Sequence, residues 1–237
     1  MSLDLLPAAA SRPDLSHITN WVFDLDNTLY PRESNLFAQV DVRITDYVVK
    51  VTGLERTAAR KLQKEYYRDF GTTLNALMRE HGVDPEHFLN TVHDIDYSPV
   101  LPNPALVAAI EQLPGRKFIL TNGDVPHAQR VLARLGGGHL FDAIHDVKAM
   151  GYTPKPARPA YEGFLGQYGV TPASAIMFDD IDKNLLVPHE LGMTTVHITA
   201  NPDFAHAQVE AWELERAEGP HIHHRTSDLA AFLRSRL

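Results

Sequence analysis

Apolar and polar positions along this chain follow two different periods, and the changes between them mark out its organisation. A short apolar run, Trp21-Val22-Phe23, stops at the polar stretch Asp24-Leu25-Asp26-Asn27-Thr28. An apolar run of that length bounded by turn formers predicts a buried strand. Between residues 33 and 101 no convincing strand appears, and apolar residues recur at helical spacing: Phe37, Val40, Ile44, Tyr47 and Val48, then Leu62 and Tyr66, then Leu74, Leu77 and Met78. Past residue 100 short apolar runs alternate with amphipathic segments. Strands are predicted over 117–120, 141–144, 175–178 and 194–198, with helices over 125–135, 160–168 and 182–191 closed by glycines at 136, 169 and 192. The tail predicts a helix over 205–214, a short strand at 221–222 and a capped helix over 227–233.

This order of elements predicts an α/β fold, a Rossmann-like doubly wound parallel sheet interrupted after its first strand by an inserted α-helical cap. The expected boundaries are a core domain of residues 20–32 and 102–237, a cap domain of 33–101 and an N-terminal extension of 1–19. An insertion at that point sits over the carboxyl end of the sheet, where ligands of open α/β sheets bind, and suits a lid. With 237 residues, 44% of them hydrophobic and 22% charged, the chain can bury an ordinary core. Its formal net charge of -8 argues against binding a nucleic-acid polymer. The absence of cysteine excludes disulfides and thiolate metal sites. Residues 1–20 lack the pattern of a signal peptide and no stretch is long and apolar enough for a membrane helix, so the expected compartment is the cytoplasm.

Candidate chemistry begins where the first strand ends. Side chains alternate along a strand, so Asp24 and Asp26 emerge together, and two carboxylates that close repel unless a cation or shared proton relieves them. Thr121-Asn122-Gly123-Asp124 follows the next strand and offers a hydroxyl, an amide and backbone N–H groups to a phosphate oxygen. Lys155 stands between Pro154 and Pro156, which stiffen its backbone. Asp179 and Asp180 end the strand over 175–178. A parallel sheet brings these clusters to one edge, with oxygen ligands for Mg²⁺ and a cation for phosphate. Histidines number 13, among them His221, His223 and His224; with no carboxylate cluster nearby in sequence, they read as the polar end of a strand.

The sequence of motifs DLDNT, LTN, KP and FDD, with Asn184 four residues after the second aspartate, resembles that of the haloacid dehalogenase (HAD) superfamily of phosphatases from about residue 20 to 233. Further stretches, DLDNTLYP, YRDFGTTL at 67–74, VHD at 92–94 and TSDL at 226–229, are similar to the pyrimidine 5'-nucleotidase-like branch. The resemblance implies that Asp24 is a nucleophile forming an aspartyl-phosphate and also a Mg²⁺ ligand. Asp26 is then the general acid and base, with its backbone carbonyl on the metal. Thr121 and Lys155 would hold phosphoryl oxygens, Asp180 would ligate the metal, and Asp179 with Asn184 would complete or orient its shell. Asn122, Thr72, Thr73 and Asn75 are candidate substrate contacts. The implied substrate is a pyrimidine nucleoside 5'-monophosphate, with another small phosphometabolite such as phosphoglycolate as the alternative. A dehalogenase attacking carbon is disfavoured by Asp26, which halide displacement does not need, and a non-catalytic binding protein by the full acidic set. One departure is Ile181, where many relatives carry a small hydroxyl residue.

Overall fold

The apolar run ending at Asp24 forms strand β1 (Asn20–Phe23), buried along its whole length. The computed structural model describes residues 14–200 and 218–235. Among them are five further strands: β2 (Arg116–Leu120), β3 (Ala143–His145), β4 (Ala175–Asp179), β5 (Thr194–Ile198) and β6 (His224–Thr226). They pair in the order β3-β2-β1-β4-β5-β6, and every neighbouring pair is parallel. From β1 the chain builds outward through β2 to β3 and then crosses back to β4 on the other side. The order therefore reverses between β1 and β4, the place where an open α/β sheet leaves a crevice at its carboxyl edge.

Strands buried on both faces need apolar residues at successive positions, which is why β1 and β4 read as unbroken apolar runs. Trp21, Phe23, Ile176 and Phe178 face one side, where Phe23 and Phe178 stack with ring centroids 4.7 Å apart. Helices α5 (Pro104–Glu111), α6 (Val125–Leu135) and α9 (Leu229–Arg234) supply the apolar side chains that complete that layer. Val22, Phe118, Leu120 and Met177 face the other, against α7 (Arg158–Tyr168). Leu15 and Ile18, expected in an extension outside the core, are buried in the first cluster. The Thr19 carbonyl already accepts the Arg116 N–H at 2.9 Å, so the sheet's lateral bonding starts before β1.

Between β1 and α5 lie α1 (Leu36–Thr52), α2 (Arg56–Phe70), α3 (Thr73–His81) and α4 (Pro85–Val92). Val40, Tyr47, Val48, Leu74 and Leu77 are buried as their spacing requires, together with Phe88, Leu89 and Val92. Phe37 is the exception at 41% exposed. A polar knot ties α1 to α2: Asp41 accepts from Arg60 at 2.6 Å, Gln63 at 2.7 Å and Lys64 at 3.3 Å. Asp41 would be a costly unpaired charge in that layer, and three donors remove the cost.

Three elements depart from expectation. The predicted helix over 182–191 divides into a 3-10 turn (Asp182–Leu185) and α8 (Leu186–Leu191). Pro188 has no N–H for the Asn184 carbonyl, and that carbonyl instead accepts the Tyr161 hydroxyl at 2.7 Å. The strand expected at 221–222 begins at His224, because Thr195 binds the preceding segment through the His221 carbonyl at 2.6 Å and His223 Nδ1 at 3.0 Å. β3 starts two residues late because the Asp142 carboxylate takes the Lys117 N–H at 2.7 Å and plugs the ladder there. The helix expected over 205–214 lies outside the described residues. Among the described residues no helix is long and apolar enough to cross a membrane.

Candidate active site

The carboxyl ends of β1, β2 and β4 carry Asp24, Thr121 and Asp179 to one edge. The Asp24 N–H extends the ladder to the Phe178 carbonyl at 2.8 Å, after which Thr28 and Leu29 both turn back onto the Leu25 carbonyl. Asn27 takes a φ of 57°, a left-handed turn that asparagine tolerates.

Lys155 stands at the centre of this arrangement, 1% exposed, donating to Asp24 Oδ1 at 2.8 Å and to Asp179 Oδ2 at 2.7 Å. Burial pulls its pKa down, but the two carboxylates outweigh burial and hold it above the ordinary lysine value. Asp24 Oδ2 accepts the Thr28 hydroxyl at 3.1 Å, and Asp180 Oδ2 accepts Arg32 at 2.8 Å. Asp24, Asp179 and Asp180 each offer an oxygen within 4.8 Å of the others'. Burial pushes the Asp24 carboxyl well above the ordinary range; Lys155 opposes this, while Asp179, Asp180 and Asp26 reinforce it. Asp180 is pushed up to about 7, first by burial and then by Asp179, against the pull of Arg32. Three carboxylates with oxygens this close face two cations, Lys155 and Arg32, so the donor set fits a hard divalent ion.

Asp26 is turned away from that cluster. Its Oδ1 accepts the Tyr30 hydroxyl at 2.5 Å and lies 2.8 Å from His127 Nε2. Burial would raise its pKa, yet His127 and Tyr30 together bring it below the ordinary value. Asp24, Asp26, Thr121, Lys155 and Asp180 share the wall of a cavity of about 230 Å³ whose other side is built by α1 to α4.

A family model for haloacid dehalogenase-like hydrolases matches residues 20–187. The chain belongs to that family. Phosphate metabolism protein 8 of Saccharomyces cerevisiae is 26% identical over 188 residues, covering 72% of this chain and 58% of that relative, so the chain spans less than two thirds of its length. The HAD hydrolase YfnB from Bacillus subtilis, bound to magnesium, superposes with a TM-score of 0.58 at 14% identity, over 92% of this chain and 98% of that one. A HAD phosphatase from Thermococcus onnurineus gives 0.57 at 16%, over 92% and 97%. An L-2-haloacid dehalogenase from Xanthobacter autotrophicus with chloropropionic acid covalently bound gives 0.55 at 18%, over 92% and 97%. A fold shared by phosphatases and dehalogenases does not choose between their reactions; the side chains must.

Within this HAD hydrolase the expected residues separate into groups. Asp24, Asp26, Thr121, Lys155, Asp180, Thr72 and Thr73 line the cavity. Asp179 is fully engaged, with Oδ2 on Lys155 and Oδ1 accepting from the Ile181 N–H at 2.9 Å and Asn184 at 3.0 Å. It braces the lysine, and because the loop bond uses a backbone N–H, Ile181 serves where a hydroxyl residue was expected. Asn122 reaches the cavity, but its amide clamps the Lys155 backbone, accepting at 2.9 Å and donating at 3.1 Å. Asn75 is not among the cavity's lining residues, and its amide donates to the Phe70 carbonyl at 3.1 Å, closing α2. Thr72 caps α3 through the Asn75 N–H at 3.2 Å. The sequence reading gave no site role to Tyr30, Arg32, His93, Tyr97 and His127. Tyr30 and His93 stood inside the stretches DLDNTLYP and VHD, and His127 stands three residues past the Asp124 helix cap.

The raised carboxyls set a pH dependence. Asp24 and Asp180 hold folded-state values above the unfolded value of about 3.9, so their contribution is complete at acid pH and is lost as pH rises through the folded value, about 7 for Asp180. Buried histidines such as His145, held neutral by desolvation, work in the opposite sense. The Tm difference between Mg²⁺ and EDTA isolates the carboxyls. It should grow from pH 5 to pH 8; an equal difference at both would remove these carboxyls as the cation's ligands.

Proposed function

We propose that this chain is a Mg²⁺-dependent phosphomonoesterase with Asp24 as nucleophile and the α1 to α4 insertion as a cap. The observation that carries the reading is the division of the acids: Asp24 and Asp180 converge beside Lys155, while Asp26 is held apart from them on the same cavity wall. A carbon-attacking dehalogenase needs the first acid but neither the acidic cluster nor a separate proton donor.

Asp24 attacks phosphorus with one carboxylate oxygen while the bond to the leaving oxygen breaks. Asp26, ionised in the free protein, takes up a proton as the anionic substrate binds beside it, gives that proton from Oδ2 to the leaving oxygen, then takes one from the water that cleaves the aspartyl-phosphate. Lys155 and Thr121 hold phosphoryl oxygens, and the buried ammonium offsets the charge they develop. Bound by Asp24, Asp180 and the Asp26 backbone carbonyl, Mg²⁺ would offset the carboxylates' repulsion for a dianionic substrate.

The cavity suits a small phosphate monoester, not a polymer. Its distal wall combines apolar Phe37, Val40, Ile44 and Phe88 with Tyr67, Lys64, Thr72 and Thr73. Flat aromatic faces beside hydrogen-bonding groups suit a base, and a closing cap rejects a second fused ring by clash. The substrate we infer is accordingly a pyrimidine nucleoside 5'-monophosphate. The test is kcat/KM for UMP, CMP, AMP, GMP, phosphoglycolate and 2-chloropropionate, with Mg²⁺ and with EDTA. UMP and CMP should lead and EDTA should abolish turnover. Purine nucleotides or phosphoglycolate in the lead would overturn the nucleotidase reading, and halide release without metal would overturn the phosphatase.

A further inference from the structure

The side chain behind Asp26 belongs to a buried chain of contacts that ends in the segment returning from the helical insertion to the sheet. His127 is wholly buried on α6. Its Nε2 lies 2.8 Å from Asp26 Oδ1 and its Nδ1 lies 2.9 Å from the Tyr97 hydroxyl. Tyr97 belongs to the link between α4 and α5. That link is itself gripped from α6: Arg130 donates to the His93 carbonyl at 3.0 Å, and Arg134 donates to the Ser98 and Val100 carbonyls at 3.1 and 3.2 Å. The His93 ring stacks on His127 with centroids 4.2 Å apart and planes 13° from parallel.

The donors settle how the chain runs. A carboxylate accepts only, so His127 Nε2 carries a proton toward Asp26. The Tyr97 hydroxyl donates to the His93 carbonyl at 3.0 Å, beside Arg130, and its oxygen lies against His127 Nδ1, so the ring is held from both of its nitrogens. Tyr30 and His127 both fall on Oδ1. That pins one edge of the Asp26 carboxyl and leaves Oδ2, on the side of Gly123, for the cavity. With Tyr30 alone, the carboxyl keeps a single bond and can swing about it.

We propose that Tyr97 and His127 are positioning residues that aim Oδ2 of Asp26 at the leaving oxygen and make that aim depend on where the insertion's return link lies. The proposal rests on the phosphatase reading, because it assigns Asp26 a proton to deliver. A misaimed acid costs most where the leaving group most needs a proton. Orientation losses of this kind reach about 10²-fold.

The experiment compares kcat/KM, which reports the first phosphoryl transfer, for p-nitrophenyl phosphate and an alkyl phosphate in wild type, Asp26→Asn, His127→Ala, His127→Gln and Tyr97→Phe. Thermal unfolding is measured alongside. His127→Ala should lose about 10²-fold on the alkyl phosphate and at least about tenfold less on p-nitrophenyl phosphate, with the same leaving-group bias as Asp26→Asn. His127→Gln keeps an N–H near the Nε2 position and should recover most of the loss. Tyr97→Phe removes only the hydroxyl and should show the same bias at smaller size. Equal losses on both substrates, no rescue by glutamine, or a loss confined to Tm would overturn the proposal. A wild type inert on every phosphate ester would instead overturn the phosphatase reading.

Discussion

Asp24→Asn is expected to lower phosphate release by about 10⁴-fold or more while the protein stays folded. The amide keeps the shape of the carboxylate, so the contacts of its Oδ1 with Lys155 and Oδ2 with Thr28 lose a charge without opening a cavity. Lys155 retains Asp179 at 2.7 Å, which keeps the ammonium paired. One buried, repelling charge disappears from the cluster, which should leave Tm unchanged or slightly raised, since Asp24 is held well above its ordinary pKa by burial. What is lost is the attacking atom: an amide oxygen does not form the acyl phosphate. Phosphate release and thermal unfolding on one preparation check both halves. Residual activity above about 1% of wild type, with deamidation excluded by mass spectrometry, would move the nucleophile elsewhere.

The sheet was legible because buried parallel strands demand what Trp21 to Phe23 and Ala175 to Phe178 provide, runs of apolar residues ending in carboxylates. The convergence of Asp24 and Asp180 was legible for the same reason, since each lies at a strand end and topology does the rest; Lys155, in the loop beyond β3, was marked instead by its two flanking prolines. Residues whose roles depend on pairing across the fold were not. Nothing in the sequence around Asn122 shows that its amide clamps the backbone 33 residues away. Asn75 sits in a suggestive stretch, but the local need to close α2 takes its side chain. Asp41 looks like an ordinary surface acid on a helix until Arg60, Gln63 and Lys64 converge on it. His127, 101 residues from Asp26 in the chain, could be matched to it only once β1 and α6 were placed.

Lys155→Met is the most revealing substitution for stability, because the lysine is the centre of the site and its long stem can be replaced at similar volume. Its ammonium is buried between two carboxylates at 2.8 and 2.7 Å, so methionine leaves Asp24 and Asp179 buried and facing each other uncompensated. Breaking a buried pair by removing one partner typically costs about 3 to 5 kcal/mol. The loss should be larger at pH 8 in EDTA than at pH 5, because the Asp24 carboxyl, already raised by burial, loses the ammonium that opposed the rise and is protonated more readily as the pH falls. Mg²⁺ should recover part of it for the same reason, by supplying positive charge to the cluster. Catalysis should not recover with it, since the ammonium's contact with a phosphoryl oxygen, worth about 10²- to 10³-fold, is gone. Urea midpoints for wild type and variant at both pH values, each with EDTA and with Mg²⁺, measure this. A midpoint that does not fall at pH 8 in EDTA would mean that the buried ammonium does not hold this site together, and that the charged cluster on which the proposed chemistry rests is not present.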